Sequence, residues 1–266
     1  MNITLAIDAV GLCAEGLPDW LTAQAVLRGK ARFDVSARVE LAASALPATE
    51  RRRANTMSRW ALQVASEATR DLDPAARSAL PTVFASADGD GIVLAQMLQD
   101  LSAHKVALSP TTFHNSVFNA PAGYWSIAAH APAASTTICA AEGSFAAGLL
   151  EAAAQVADRA GSVLLVACDH PFPAHSPIAT PARHALACAL RLRAGSKAGT
   201  LGSIADIAVA SGAPSSLPAE IGAAFEGNAS AAGLVLLRAI ACAQPARLRL
   251  PYTDGEVVEL AWQPNG

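Results

Sequence analysis

The sequence predicts an α/β fold, and three observations carry that prediction. Short apolar runs of strand character alternate along the chain with longer stretches of helical periodicity. The clearest unit is a strand-like run at 135–139, a small-residue turn at 140–143, a helical pattern through Phe145, Leu149 and Ala153, and a second apolar run at 162–168. With 266 residues, 52% of them hydrophobic, and a mean hydropathy of +0.32, the chain holds more apolar material than a core of its own needs. The surplus predicts a face covered by a partner.

The elements follow in order. Residues 3–10 read as a strand. Residues 47–70 read as one long helix, with Thr49-Glu50 near its start and Ala54, Met57, Ala61, Val64 and Ala68 on the apolar side. A short strand at 82–86 leads into Asp88-Gly89-Asp90-Gly91, a turn that caps a helix at 92–103. Residues 113–130 are predicted mostly helical despite Pro121. Strand 134–139, helix 143–158 and strand 162–168 form a βαβ unit with a right-handed crossover. Two more strands follow at 184–193 and 201–210. A Pro- and Ser-rich turn at 211–218 precedes a helix at about 229–242. The last element is a hairpin of 247–250 and 257–262 joined through Tyr252 and Gly255.

Composition excludes several classes. A net charge of −3 gives no general case for nucleic acid. The apolar run 229–240 is broken by Arg238, so no membrane span is predicted. The first residues lack a basic stretch and carry Asp8, unlike a signal peptide. Five dispersed cysteines suit a reducing cytoplasm better than a disulfide framework. No phosphate loop of either common type occurs, and DGDG lacks the rest of a calcium loop. Cys168, His170 and His175 have C-x-H-x4-H spacing but no second matched pair, so no metal and no cofactor is predicted.

The most informative segment lies at 106–141, where 36 consecutive residues carry no Lys, Arg, Asp or Glu. It is too polar and too broken by Pro and Gly for a bilayer, so it predicts burial against protein, with His114 and His130 buried and hydrogen-bonded. It ends in a strand, tight turn and helix N-terminus, a place where nucleophiles are mounted because free N–H groups favour negative charge. Cys139 is the thiol closest to that turn. A one-residue slip on a strand reverses the direction of a side chain, so the favoured reading of Cys139 is a small buried hydrophobe. The alternative is a nucleophile with His114 or His170 as base. Arg51, Arg52 and Arg53 fall in the first turn of the predicted long helix. There they oppose its dipole at roughly 0.3–1 kcal/mol each if unpaired, so they form either a solvated, paired face or the contact for an acidic partner.

These motifs resemble the β-ketoacyl synthases of the thiolase superfamily. Pro132, Gly143 and Gly148 superpose without a gap on the family's segment around its nucleophilic cysteine. Asn119 to Gly123 resembles the Asn-x-x-Ala-Gly run of its dimer-interface helix. Leu46-Pro47 followed by Arg51-Arg52-Arg53 and Ser58-Arg59-Trp60-Ala61-Leu62 is similar to a short, ketosynthase-like branch of aryl polyene and xanthomonadin-type systems. The resemblance covers roughly residues 40 to 195. It places the nucleophile on Ala140, the preceding small residue on Cys139 and the following Ser on Glu142. The family's two histidine motifs have no counterpart, since the last histidine is His184.

The resemblance therefore implies a thiolase-like layered α/β/α fold in one domain, 1–266, with a complete N-terminal half (1–195) and an abbreviated second half (196–266). It implies a catalytically silent, chain-length-factor-like subunit, with no catalytic residue of its own. Its partner would be an active β-ketoacyl synthase in a heterodimer, and an acyl carrier protein would be met directly or through that partner. Val117, Phe118, Asn119, Ala120, Ala122, Tyr124 and Glu142 would lie at the tunnel or interface, and Arg51, Arg52 and Arg53 at a carrier-protein or partner contact. The rivals are an independent Cys139-dependent acyltransferase or hydrolase and a self-associating structural protein.

Overall fold

A computed structural model describes residues 3–41, 43–103, 109–159, 161–174, 182–195 and 200–265. Their strands form one mixed sheet. Its N-terminal part comprises β1 (Leu5–Ala14), β2 (Thr82–Ala85), β3 (Ser135–Ile138), β4 (Ser162–Asp169) and β5 (Leu186–Ala194). β6 (Gly202–Ser211), β7 (Ala246–Pro251) and β8 (Glu256–Pro264) extend it, giving the order β3-β2-β4-β5-β1-β6-β8-β7. The first three strands in that order run parallel and the remaining pairs are antiparallel. β2 and β4 are buried on both faces, which explains their unbroken apolar sequences.

Helices cover both faces. On one side lie α1 (Trp20–Leu27), α8 (Ser144–Arg159) and α10 (Ala232–Cys242), whose apolar sides join the larger core. On the other lie α3 (Thr56–Ala68) and α7 (Ala120–Ala129), around Trp60, Tyr124 and Trp125. The result is α/β/α in three layers. Gly148 lets α8 approach the sheet closely, since a Cβ there would lie 2.9 Å from the Ala85 methyl. The remaining helices are α2 (Ala48–Arg53), α4 (Pro74–Ser78), α5 (Gly91–Ser102), α6 (Pro110–Asn115) and α9 (Ala219–Ala224).

Several expectations are corrected. The long helix at 47–70 is two helices. Ala54 turns extended (ψ 125°), and the Asn55 side chain accepts from Ser58 N–H at 2.9 Å to start α3 afresh. Arg51, Arg52 and Arg53 consequently stand in the last turn of α2, where the dipole favours them, so the predicted penalty reverses sign. Residues 113–130 likewise split into α6 and α7, with Pro121 tolerated in the first turn of the second. The βαβ unit of β3, α8 and β4 forms, but β2 is inserted between its strands. The DGDG turn behaves as predicted: Asp90 caps α5 by accepting from Ile92 and Val93 N–H, both at 3.0 Å.

Candidate functional site

The C-terminal ends of β2, β3 and β4 converge where open parallel sheets place ligands. β3 ends at Ile138, the backbone turns sharply after Cys139, and the 3-10 turn Ala141–Gly143 feeds α8. Ala141 holds φ +46°, a left-handed conformation that costs an alanine energy and marks an over-determined turn. Ser144 fastens it, its hydroxyl accepting from Ala140 N–H at 3.0 Å and donating to Ala141 C=O at 2.7 Å. The turn therefore has the strand, tight turn and helix order expected from the sequence, with the methyl groups of Ala140 and Ala141 at its apex. Beneath it, a Cβ on Gly143 would lie 2.8 Å from the carbonyl oxygen of Tyr252, so the β7–β8 hairpin presses directly on the turn.

Cys139 is exposed, contrary to the buried position predicted for it. The reason is that β3 is an edge strand, with β2 on one side only. Its thiol donates to Ala87 C=O at 2.9 Å instead of facing the turn's apex. Burial pushes the thiols of Cys13 and Cys188 up to about 12 and raises that of Cys168 well above the usual range. Glu142 is exposed in the same turn.

Among the described residues no histidine hydrogen-bonds to Cys139. His114 and His130, predicted buried, are exposed. His114 stands edge-on to Tyr124 at 5.8 Å, and His130 ends α7 in a left-handed conformation. His170 Nδ1 lies 2.8 Å from Pro171 C=O, and His184 pairs with Glu15. His175 of the metal-ligand reading lies outside the described residues. Among those described, no three His, Cys, Asp or Glu side chains cluster as metal ligands. No described helix is long and apolar enough to cross a membrane.

Asp169, at the end of β4, ties these loops together. Its carboxylate accepts from Ser86 Oγ at 3.0 Å, Ala87 N–H at 2.7 Å, and Ser230 N–H and Oγ at 3.0 and 2.6 Å. Burial raises its pKa, and the hydrogen bonds from Ser230, Ala87 and Ser86 oppose that rise. Sequence reading missed this residue, because a single Asp after an apolar strand carries no motif.

The uncharged segment presents a divided surface. Phe113, Val117, Phe118 and Ile127 are exposed, as are Asn119 and Gly123. Ala120, Ala122 and Tyr124 turn inward, and the Tyr124 hydroxyl donates to Asn115 Oδ1 at 3.0 Å. Below Tyr124 a cavity of about 300 Å³ is bounded by Glu50, Arg53, His114 and Ile127. The chain by itself therefore covers only part of its charge-free block. The three arginines are not equivalent. Arg51 donates to Leu46 C=O at 2.9 Å and Arg53 pairs with Glu50 at 3.6 Å. Arg52 has no partner among the described residues.

The profile of the β-ketoacyl synthase N-terminal domain matches residues 23–225. No curated protein matches the sequence. Three solved structures are similar in fold. A ketosynthase (ApeO) in complex with its chain length factor (ApeC) from Xenorhabdus doucetiae gives 24% identity and a TM-score of 0.73, over 98% of this chain and 99% of that one. The ishigamide ketosynthase/chain length factor gives 12% and 0.77, over 99% and 100%. A type II polyketide acyl-carrier protein in complex with its hexaketide-bound ketosynthase, AntDE:AntF, gives 12% and 0.74, over 100% of both chains.

Proposed function

The chain belongs to the β-ketoacyl synthase family, and from that premise we propose that it is the catalytically silent, chain-length-factor-like partner of an active ketosynthase. The observation that carries this reading is the turn before α8. Its strand, strained residue and Ser144 clasp are those of a nucleophile mount, yet Ala140 and Ala141 occupy its apex and Tyr252 closes it from below. A hydrocarbon apex cannot attack a thioester, and among the described residues no histidine hydrogen-bonds to the turn as base or oxyanion donor.

The partner would seat on the face of Phe113, Val117, Phe118, Asn119, Gly123 and Ile127 and supply the cysteine and both histidines. Complexes of ketosynthases with chain length factors among the similar folds support that arrangement. In it, Val117 and Phe118 would reach the end of the acyl tunnel, with Ala120, Ala122 and Tyr124 behind them as the supporting wall and Glu142 at the rim. An acyl carrier protein would meet the pair, with Arg52, which has no partner among the described residues, as a cation offered to such an acidic partner. Five unpaired cysteines suit a cytoplasmic setting. The exposed thiol of Cys139 keeps one rival in play, an independent acyltransferase or hydrolase.

Co-expression with a ketosynthase from the same genome tests the proposal. A complex that survives gel filtration and condenses acyl and malonyl carrier-protein thioesters, while this chain alone does not, is the expected result. Condensation by the isolated chain that Cys139→Ala abolishes would overturn it.

A further inference from the structure

Phe118 rests on a ledge built by the DGDG turn. Gly89 adopts φ +68°, and a Cβ placed on it would lie 3.4 Å from the Phe118 ring, so the ring stands over this turn and a side chain at 89 would meet it. The same turn is backed on its other side by Phe172, whose ring lies under 3 Å from a Cβ placed on Gly91. The ledge is held from inside the molecule. Gly89 N–H donates to Ser86 Oγ at 3.0 Å, and Ser86 Oγ donates to Asp169 Oδ1 at 3.0 Å. Ala87 N–H donates to the same oxygen, and Ala87 C=O takes the Cys139 thiol. Asp169 is held in turn by Ser230, from the part of the chain after residue 195.

From this geometry we infer that Ser86 and Asp169 are positioning residues for acyl chain length, acting through Gly89 on the ring of Phe118. The inference rests on the proposed tunnel role of Phe118 and adds what fixes the ring's depth. Phe118 is 42% exposed in the chain, so few contacts of its own hold it. A side chain with one fixed floor and a free top takes its position from the floor. The Asp169–Ser86–Gly89 relay supplies a firm floor, because each donor has its acceptor and both side chains are buried.

The experiment uses the complex of this chain with its ketosynthase and reads product lengths by mass spectrometry. Four variants are compared: Phe118→Ala, Ser86→Ala, the double variant, and Gly89→Asn, since Asn tolerates the left-handed backbone and brings a side chain against the ring. Phe118→Ala should lengthen the products and Ser86→Ala should broaden them toward longer chains. The double variant should equal Phe118→Ala alone, because Ser86 acts through a ring no longer present. Gly89→Asn should shorten the products by lifting the ring, and this arm decides if Ser86→Ala does not fold. If Phe118→Ala lengthens the products while Ser86→Ala and Gly89→Asn change nothing, the relay is refuted and the tunnel reading stands. Additive effects of Ser86→Ala and Phe118→Ala also refute the relay. If Phe118→Ala itself changes nothing in a folded complex, the tunnel reading falls and the relay with it.

Discussion

The carbonyl of Tyr252 bears on Gly143 so closely that any side chain there would collide with it. A hairpin from the end of the chain therefore occupies the floor of the turn that leads into α8. This contact fixes the turn from beneath, and among the described residues no histidine hydrogen-bonds to it, so a thiol restored at its apex would still lack a base.

Ala140→Cys should accordingly fail to create condensing activity in the isolated chain. Single-turnover assays with acyl carrier-protein thioesters check this, and a covalent acyl adduct on residue 140 would contradict it.

Iodoacetamide should label Cys139 ahead of Cys13, Cys168 and Cys188, which are buried. The labelled chain should still support full condensation once paired with its ketosynthase. Loss of activity on stoichiometric labelling would instead favour a catalytic thiol.

Gly123 and Ala122 are neighbours with opposite environments. Gly123 meets nothing within 4 Å of an added Cβ, whereas Ala122 is buried in the α3–α7 core. Gly123→Arg should leave the melting temperature of the chain nearly unchanged and prevent complex formation. Ala122→Arg should unfold the chain itself, because it buries an unpaired charge. Thermal melts and gel filtration of both variants read the difference.

Tyr124 should behave as core. Tyr124→Ala should cost about 3–5 kcal/mol and Tyr124→Phe, which forfeits only the bond to Asn115, about 1 kcal/mol. Urea midpoints of the two variants measure this.

Glu67 accepts from Leu12 N–H, on the stretch of β1 beyond its β6 pairing, and from Trp20 N–H at the start of α1, both at 2.9 Å. Burial raises its pKa. The folded state therefore holds that proton more tightly than the unfolded one, so its contribution to stability declines as pH rises from the unfolded value through the folded value. Glu67→Gln removes this titration. The difference in urea midpoint between parent and variant should change across mildly acidic pH in the variant's favour as pH rises. A pH-independent difference would show that Glu67 does not titrate in that range.

Much of the fold was legible because its period was regular. The apolar runs of β2, β4 and β5 and the helical spacing of α8 and α10 fell within a few residues of their positions. What was missed depended on single residues that override a pattern. Asn55 restarts a helix inside an apparently continuous one, and β2 enters between β3 and β4 by a pairing that no local sequence encodes. The empty apex at Ala140 could be read from the family's motif. The exposure of Cys139, His114 and His130 could not, since an uncharged segment looks the same whether its own chain or another covers it. Asp169 was invisible for a related reason: its four donors come from two distant places in the sequence, 86–87 and 230.

β1 pairs with β5 along its whole length, from Leu5 with Ala194 to Ala14 with Leu186, and with β6 through Leu5 to Ile7. During synthesis, then, the strand at the centre of the sheet must wait for well over a hundred further residues before either neighbour exists. Such distant pairing closes slowly, and until it does the chain displays both unpaired strand edges and the apolar side of α7. Under the proposed heterodimer, making the partner nearby and at the same time would cover that surface before it meets another unfinished copy.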